Sequence, residues 1–410
     1  MFPRFLRFFT LYWKALAALL FIFILESLYH SRSPNTTLSV PLDKPFGLGC
    51  LDVSNFPTQR ANATLLMLAR NKDLEGAKSA IRSVERRFNH RANYPLVLLN
   101  DQNFTREFED GIRSVASGDV IFAVIPKGMW GYPSGLDWNA AQVAMERQKK
   151  DGILYGALPS YHYMCRFNSG FFFDMEVLQK YRWYWRIEPN VEFTCDITYD
   201  PFVEMENRGK KYGYVIALWE LYKTAPSLFR KVSDYKKSHA IQTSRLWTKL
   251  INRSHLPWPF RSFLRVSSNK DTSGDEWNLC HFWSNFEIAD MDWYRTKEYR
   301  DFFDYLDQDG GFFFERWGDA PVHTFAAALL LKDHELHHFQ DWGYIHPPFQ
   351  YIPTMPVDQA KSMPMHSLQS QSIGEWSKHS KVIGCNCDVD MGKGGVLRPN
   401  CMNTVMEAFT

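Results

Sequence analysis

Apolar positions after residue 60 fall into alternating runs of strand and helix character. Thr64 to Leu68, TLLML, is a continuous apolar run of strand length, and Leu74 to Phe88 follows with Ala77, Ile81 and Val84 on one helical face. Tyr94 to Leu99, YPLVLL, predicts the next strand and Val120 to Val124 another. Strand, helix and strand in this order build a parallel α/β sheet, and such sheets bind ligands beyond the carboxyl ends of their strands. Arg70, just past the first strand, stands where a nucleotide would bind, although an exposed Arg after a strand is more often plain surface.

Farther along, residues 134–150 predict a helix with Leu136, Ala140, Val143 and Ala144 on one face, and Ile153 to Ala157 predicts a short strand. Tyr214 to Leu218 predicts a strand ending at Trp219 and Glu220. From Ser227 to about Asp275 the pattern weakens, and this basic, Ser-rich tract with Leu256-Pro-Trp-Pro-Phe260 reads as a surface excursion. Thr324 to Leu331 is apolar and helical in character. The tail from about residue 361 reads as a loop-rich wrap held by disulfides.

The N-terminus carries a different pattern. Arg4 and Arg7 precede an apolar run from Phe8 to Leu25 that only Lys14 interrupts. The run is short for a membrane span but sufficient if Lys14 snorkels to the cytosolic face. A cleaved signal peptide is the alternative, yet Glu26 to His30 offers no small-x-small site. The expected layout is a cytosolic tail over 1–7, a signal-anchor helix over 8–29, a lumenal stem over 30–60 rich in Ser, Pro and Thr, and a catalytic domain over 61–410. Basic residues on the early side predict a type II orientation.

Four Asn-x-Ser/Thr triplets, at Asn35, Asn62, Asn103 and Asn252, fit a lumenal domain. The seven cysteines, Cys50, Cys165, Cys195, Cys280, Cys385, Cys387 and Cys401, then lie where disulfides persist, and their odd number leaves one unpaired. Cys385-Asn-Cys387 with a distant Cys401 lacks the paired spacing of a zinc site. A net charge of +2 gives no argument for nucleic acid.

Candidate chemistry centres on Tyr161 to Glu220. Within it, YRWYWRIEPNVEFTCDITYDPF over 181–202 mixes aromatics with carboxylates, in a chain whose aromatic content is 16%. Sugar rings stack on aromatic faces while acids take hydroxyls or a metal, so carbohydrate or nucleotide-sugar chemistry is one reading. A buried strand with an aromatic face is the other.

Several long motifs occur in a fixed order: MCRFNSGFFF within Tyr161 to Phe173, Tyr184-Trp-Arg-Ile-Glu188-Pro, Cys195-Asp-Ile-Thr-Tyr-Asp-Pro-Phe202, Cys280-His-Phe-Trp-Ser-Asn-Phe-Glu-Ile288, GGFFFERWGDAPVH over 310–323, and His346-Pro-Pro-Phe349. Over about residues 60 to 352 the chain resembles the fungal Golgi α-1,2-mannosyltransferases, glycosyltransferase family 15. The resemblance implies a GT-A-type fold, a Rossmann-like mixed sheet flanked by helices, behind a transmembrane anchor in the Golgi membrane. It implies transfer of mannose from GDP-mannose, with retention and with Mn²⁺, to a mannose-terminated N- or O-linked glycan on a glycoprotein.

The same resemblance implies roles at matching positions. Glu188 is the carboxylate at the metal and the nucleotide diphosphate, His346 a Mn²⁺ ligand, Glu287 the catalytic carboxylate, Tyr161 a contact to acceptor mannose, and Glu220 a further active-site acid. Arg70 joins Glu188 and Glu220 as a candidate donor contact. These residue types fit the chemistry: a divalent ion stabilises charge on a diphosphate leaving group, and Mn²⁺ accepts carboxylate and imidazole together. Retention permits either a glycosyl-enzyme on Glu287 or front-side attack with Glu287 stabilising ring charge. The rival readings are a catalytically silent sugar-binding or organising protein, a mannosylphosphate transferase, and a glycoside hydrolase using Glu188 and Glu287.

Three departures from the family pattern stand out. Asn190 replaces a second acid after Glu188-Pro, Gln350-Tyr-Ile-Pro353 lacks a cysteine usual beyond His-Pro-Pro-Phe, and Leu246 to Val266 reads as an insertion that would reshape the acceptor side.

Overall fold

The computed structural model describes residues 2–32, 43–56, 59–258, 260–356, 380–388, 395–396 and 401–402. Its centre is a seven-stranded sheet, whose strands in chain order are β1 (Ala63–Leu68), β2 (Leu96–Asn100), β3 (Val120–Val124), β4 (Trp183–Arg186), β5 (Tyr212–Tyr214), β6 (Glu287–Asp290) and β7 (Leu336–His338). Across the sheet they run β7-β5-β6-β4-β1-β2-β3. The first four are mutually parallel, while β6 runs antiparallel to both β4 and β5, so the sheet is mixed. The continuous apolar runs behave as expected of strands covered on both faces.

Successive side chains alternate between two layers. Leu65, Met67, Leu98, Trp183, Trp185 and Ile288 enter one core, which the Leu74–Val84 helix covers with Ala77, Ala80, Ile81 and Val84. Leu66, Val97, Leu99, Tyr184, Tyr212 and Ala289 enter the other. There the sheet meets the helices Pro159–Gly170, Lys297–Asp309 and Asp319–Leu330. The last of these is buried through Leu329, as a helix apolar on nearly all sides must be.

Four expectations change. The helix expected over 134–150 starts at Trp138, because Asp137 caps it by accepting from the amides of Asn139 and Ala140. Residues 153–157 form a turn, not a strand: Tyr155 takes φ 62°, and the amides of Gly156 and Leu158 close back onto Ile153 and Tyr155. The strand expected over 214–218 is split, with β5 ending at Tyr214 and a second strand, Ala217–Trp219, pairing antiparallel with Cys280–Phe282 outside the main sheet. The tract from Ser227 is not a surface excursion throughout, since the helices Leu228–Ser238 and Arg245–Leu250 bury Leu228, Phe229, Val232, Leu246, Trp247 and Leu250. Its later part carries the exposed Leu256, Trp258, Phe260, Phe263 and Val266.

At the N-terminus a helix runs Phe2–Ser31, and within it Tyr12–Ser31 is long and apolar enough to cross a membrane. Part of the stretch expected as stem packs against the body: the Asp43 carboxylate accepts from His337 and Lys210, and Phe46 stacks on the His337 ring with centroids 3.5 Å apart. Disulfides Cys50–Cys385, Cys195–Cys387 and Cys280–Cys401 tie the C-terminal residues to the body, leaving Cys165 free and buried. Asn62, Asn103 and Asn252 are exposed, and Asn35 lies outside the described residues.

Candidate active site

Against one face of the sheet, near the carboxyl ends of β1, β2 and β4, lies a cavity lined by Leu68, Leu99, Asn168, Tyr184, Arg186 and Glu287 among others. Sheet register assembles its polar half. Tyr184 and Arg186 share a face of β4, and the antiparallel partner β6 sets Glu287 opposite Arg186 and Ala289 opposite Tyr184. Ala289 in turn faces Tyr212 of β5.

Glu287, 1% exposed, is held by three donors. Its Oε1 accepts from the Tyr184 hydroxyl at 2.6 Å, and its Oε2 accepts from the Tyr212 hydroxyl at 2.8 Å and from His323 Nδ1 at 3.0 Å. Burial and the neighbouring carboxylate push both tyrosines well above their ordinary pKa, so both remain donors. His323 Nε2 faces the Asn168 carbonyl at 3.0 Å, so both ring nitrogens meet acceptors, an arrangement that favours a proton on each. Burial opposes that charge, but Glu287 outweighs it and raises the His323 pKa.

Arg186 links this carboxylate to the next two. Its Nη1 donates to Asp319 Oδ2 at 2.5 Å and its Nη2 to Glu188 Oε1 at 2.7 Å, with Glu287 at 3.8 Å. Asp319 also accepts from the Ser284 hydroxyl at 2.9 Å. Burial pushes the Asp319 carboxyl up, and Arg186 with His323 more than offsets it, leaving the pKa lowered. Asp319 and His323 reach the site from one helix, spaced four residues apart and therefore on one face.

Glu188 Oε2 stands 3.5 Å from His346 Nε2, and Trp283 packs edge-on against the imidazole at 4.7 Å. Burial works against both charges. The Arg186 guanidinium and His346 nevertheless pull Glu188 below the usual carboxylate range, and Glu188 raises His346. Among the described residues no group of three or more His, Cys, Asp or Glu gathers as a metal cluster, so Glu188 and His346 form a two-donor pair. Asn190, with φ 69°, lies against Gly76, where an added Cβ would come within 2.6 Å of its side chain. A left-handed residue is one that Asn tolerates, so its place in this chain has a local cause.

Tyr161, in the first turn of its helix, and Glu220, just after Ala217–Trp219, meet through Arg316, which donates to the Tyr161 hydroxyl at 3.0 Å and to Glu220 Oε1 at 2.8 Å. Arg70 stays apart: its exposed guanidinium makes a two-pronged pair with Asp73 at 2.8 and 3.0 Å. The structure thus joins Glu188 with His346, reaches Glu287 through Arg186, and joins Tyr161 with Glu220. Sequence reasoning passed over Arg186, Asp319, His323, Tyr184, Tyr212 and Arg316. The period-two alternation of Tyr184 and Arg186 and the four-residue spacing of Asp319 and His323 were the available signals.

Known proteins resemble this chain over most of its length. The family model described as glycolipid 2-alpha-mannosyltransferase matches residues 39–381. The O-glycoside alpha-1,2-mannosyltransferase homolog 4 of Schizosaccharomyces pombe is 44% identical over 330 residues, 74% of this chain and 74% of its own. Alpha-1,2 mannosyltransferase KTR1 of Saccharomyces cerevisiae is 42% identical over 304 residues, 74% and 73% of the two chains. The solved structure of the S. cerevisiae mannosyltransferase Ktr4p in complex with GDP superposes with a TM-score of 0.70 at 32% identity, covering 91% of this chain and 86% of that one. The Mn/GDP form of core-mannan synthase A from Aspergillus fumigatus gives a TM-score of 0.65 at 34% identity, covering 78% and 84%. Likeness of this extent, over a mixed sheet flanked by helices of GT-A type, shows that the chain belongs to the glycolipid 2-alpha-mannosyltransferase family, glycosyltransferase family 15.

Proposed function

We propose that this protein transfers mannose from GDP-mannose to a mannose-terminated glycan of a glycoprotein, with retention and formation of an α-1,2 bond. The observation that carries the reading is the Glu287 carboxylate, fixed by Tyr184, Tyr212 and His323 on one face of the sheet and joined through Arg186 to Glu188. In this reading the sugar ring sits against Glu287 and its diphosphate against Glu188 and His346. Three donors on Glu287 hold its orientation in advance, which is how a fixed charge lowers a barrier without reorganising during the reaction. Either retaining route requires that fixed carboxylate.

The donor set of Glu188 and His346 fits Mn²⁺, which accepts carboxylate oxygen with imidazole nitrogen, and two protein donors leave positions for diphosphate oxygens and water. Bound there, the ion supplies charge neutralisation on the departing diphosphate. The cluster of Tyr161, Arg316 and Glu220 takes the acceptor hydroxyls in this reading, with Arg316 holding both partners in place. Arg70, just past β1, supplies a cation for the nucleotide once it leaves Asp73. The N-terminal helix anchors the protein in the Golgi membrane in the type II sense, with the body in the lumen.

The test is transfer of labelled mannose from GDP-mannose to methyl α-mannoside by the full chain in detergent, with Mn²⁺ and with chelator. An α-1,2-linked disaccharide that needs the ion and disappears in Glu287→Gln supports the reading. A folded chain that binds GDP yet makes no product with any mannose acceptor shifts the assignment to a catalytically silent sugar-binding protein.

A further inference from the structure

Five large apolar side chains stand exposed within a short tract outside the site: Leu256 at 44%, Trp258 at 62%, Phe260 at 50%, Phe263 at 76% and Val266 at 80%. Single exposed apolar residues need no explanation, but five so close together in the chain mark a contact surface. The tract includes a short 3₁₀ helix, Phe260–Val266, and lies against the end of the N-terminal helix. Phe260 meets Phe23 edge-on with centroids 5.9 Å apart. The Glu26 carboxylate accepts the Trp258 amide at 2.8 Å and pairs with the Arg261 guanidinium. Ser27 bonds to the His255 carbonyl, and His30 pairs with Asp275 at 2.7 Å.

Phe23, Glu26, Ser27 and His30 fall at helical spacing, so one face of the last two turns seats the tract. The other faces remain open, with Leu20, Ile22, Leu25 and Leu28 at 61%, 56%, 49% and 57% exposure. The apolar run ends at Leu25, two residues beyond Phe23, which is about 3 Å along a helix. The Phe23 and Phe260 contact therefore lies where hydrocarbon gives way to headgroups, the level at which Trp is favoured.

We propose that residues 254–258 and 260–266 form a second membrane contact, laying Trp258, Phe263 and Val266 into the lumenal leaflet beside the anchor. The proposal rests on the reading of the N-terminal helix as a membrane span. Lipid is the occupant because the patch is continuous with a helix whose uncovered faces require a bilayer, and because Glu26 and Arg261 satisfy each other at that depth. A body held both by its helix and by this tract presents its cleft to the lumen at a set tilt.

The experiment uses the full chain in phosphatidylcholine nanodiscs. Three single-cysteine variants, Phe263→Cys, Leu20→Cys and Val143→Cys, carry an environment-sensitive fluorophore, and the native Cys165 is buried from the label. All three positions are exposed, so none disturbs the core. Lipids with a nitroxide on the acyl chain should remove fluorescence at Leu20 and Phe263 and leave Val143 unchanged. Quenching at Leu20 alone overturns the second contact while the anchor stands. No quenching at either site overturns the anchor and the proposal with it. Energy transfer between Phe263 labels on separate copies, without lipid quenching, assigns the patch to a second copy and overturns the membrane contact.

Discussion

Arg186 and Glu287 are cross-strand partners in register on β4 and β6, yet the guanidinium stands 3.8 Å from Glu287 and only 2.5 Å from Asp319 and 2.7 Å from Glu188. One cation thus serves three carboxylates. Removing it strands buried charge, a loss of about 3–5 kcal/mol when one partner of a buried ion network goes. Arg186→Met should melt well below the native chain, whereas Arg186→Lys should stay folded and lose activity, because an ammonium cannot reproduce the fork. Thermal melts beside transfer assays check this, and an Arg186→Met chain that melts like the native one would deny the network its structural part.

Glu287 and its tyrosines should separate in kinetics. Glu287→Gln is expected to lower kcat by about 10²-fold or more, the scale of a single preorganised electrostatic group, while GDP affinity holds because Glu188 and His346 are untouched. Tyr212→Phe removes one donor from a buried carboxylate, a change of about 1–3 kcal/mol, and should lower kcat with little change in KM for GDP-mannose. Equal losses in donor affinity and kcat would argue against a role confined to the reacting sugar.

His346 sits on the rim with its side chain 25% exposed, so His346→Ala should leave the melting temperature near native. Under the proposed assignment its effect belongs to the ion. The Mn²⁺ concentration for half-maximal activity should rise by about 10-fold or more, as when metal affinity is perturbed, and Glu188→Gln should act in the same direction. Unchanged Mn²⁺ dependence in both variants would remove this pair from metal binding.

The early parallel strands were legible because their apolar runs are continuous: Thr64 to Leu68 and Val120 to Val124 both appear as strands, within β1 and as β3. The strand over 153–157 was not, since what decides it is the left-handed backbone of Tyr155, which no apolar pattern reports. The helices in the 227–275 tract escaped because charged residues such as Lys231, Asp234 and Lys237 break up the apolar pattern of Leu228, Phe229, Val232 and Tyr235. At the site, the motifs led to Glu188, Glu287 and His346. Arg186, His323 and Tyr212 carry their meaning only through register between β4, β5 and β6, which a single chain does not reveal.

Seven cysteines and disulfides Cys50–Cys385, Cys195–Cys387 and Cys280–Cys401 leave Cys165, which burial pushes well above the usual thiol pKa. A thiol reagent should therefore modify none in the native chain and a single cysteine, Cys165, after denaturation without reductant. Modification of a native thiol, or of more than Cys165 on unfolding, would contradict the pairing.

Asp341 offers a test by pH. Its carboxyl is 7% exposed, its Oδ2 accepts from the Tyr199 hydroxyl at 2.9 Å, and its Oδ1 has no partner. Burial pushes it up from 3.8 to about 7. A folded pKa above the unfolded one means the folded chain holds this proton more tightly, so the stability it lends is full below the unfolded pKa and is lost as pH rises through the folded one. The ceiling of that loss is about 4 kcal/mol at 1.36 kcal/mol per pKa unit. Asp341→Asn keeps the shape and an acceptor for Tyr199 but cannot ionise. Its melting temperature relative to the native chain should therefore rise between about pH 4 and about pH 7, the window between the unfolded and the folded pKa, and level off above it. Melting curves of the two chains that stay parallel across that window would show that Asp341 carries no such burden.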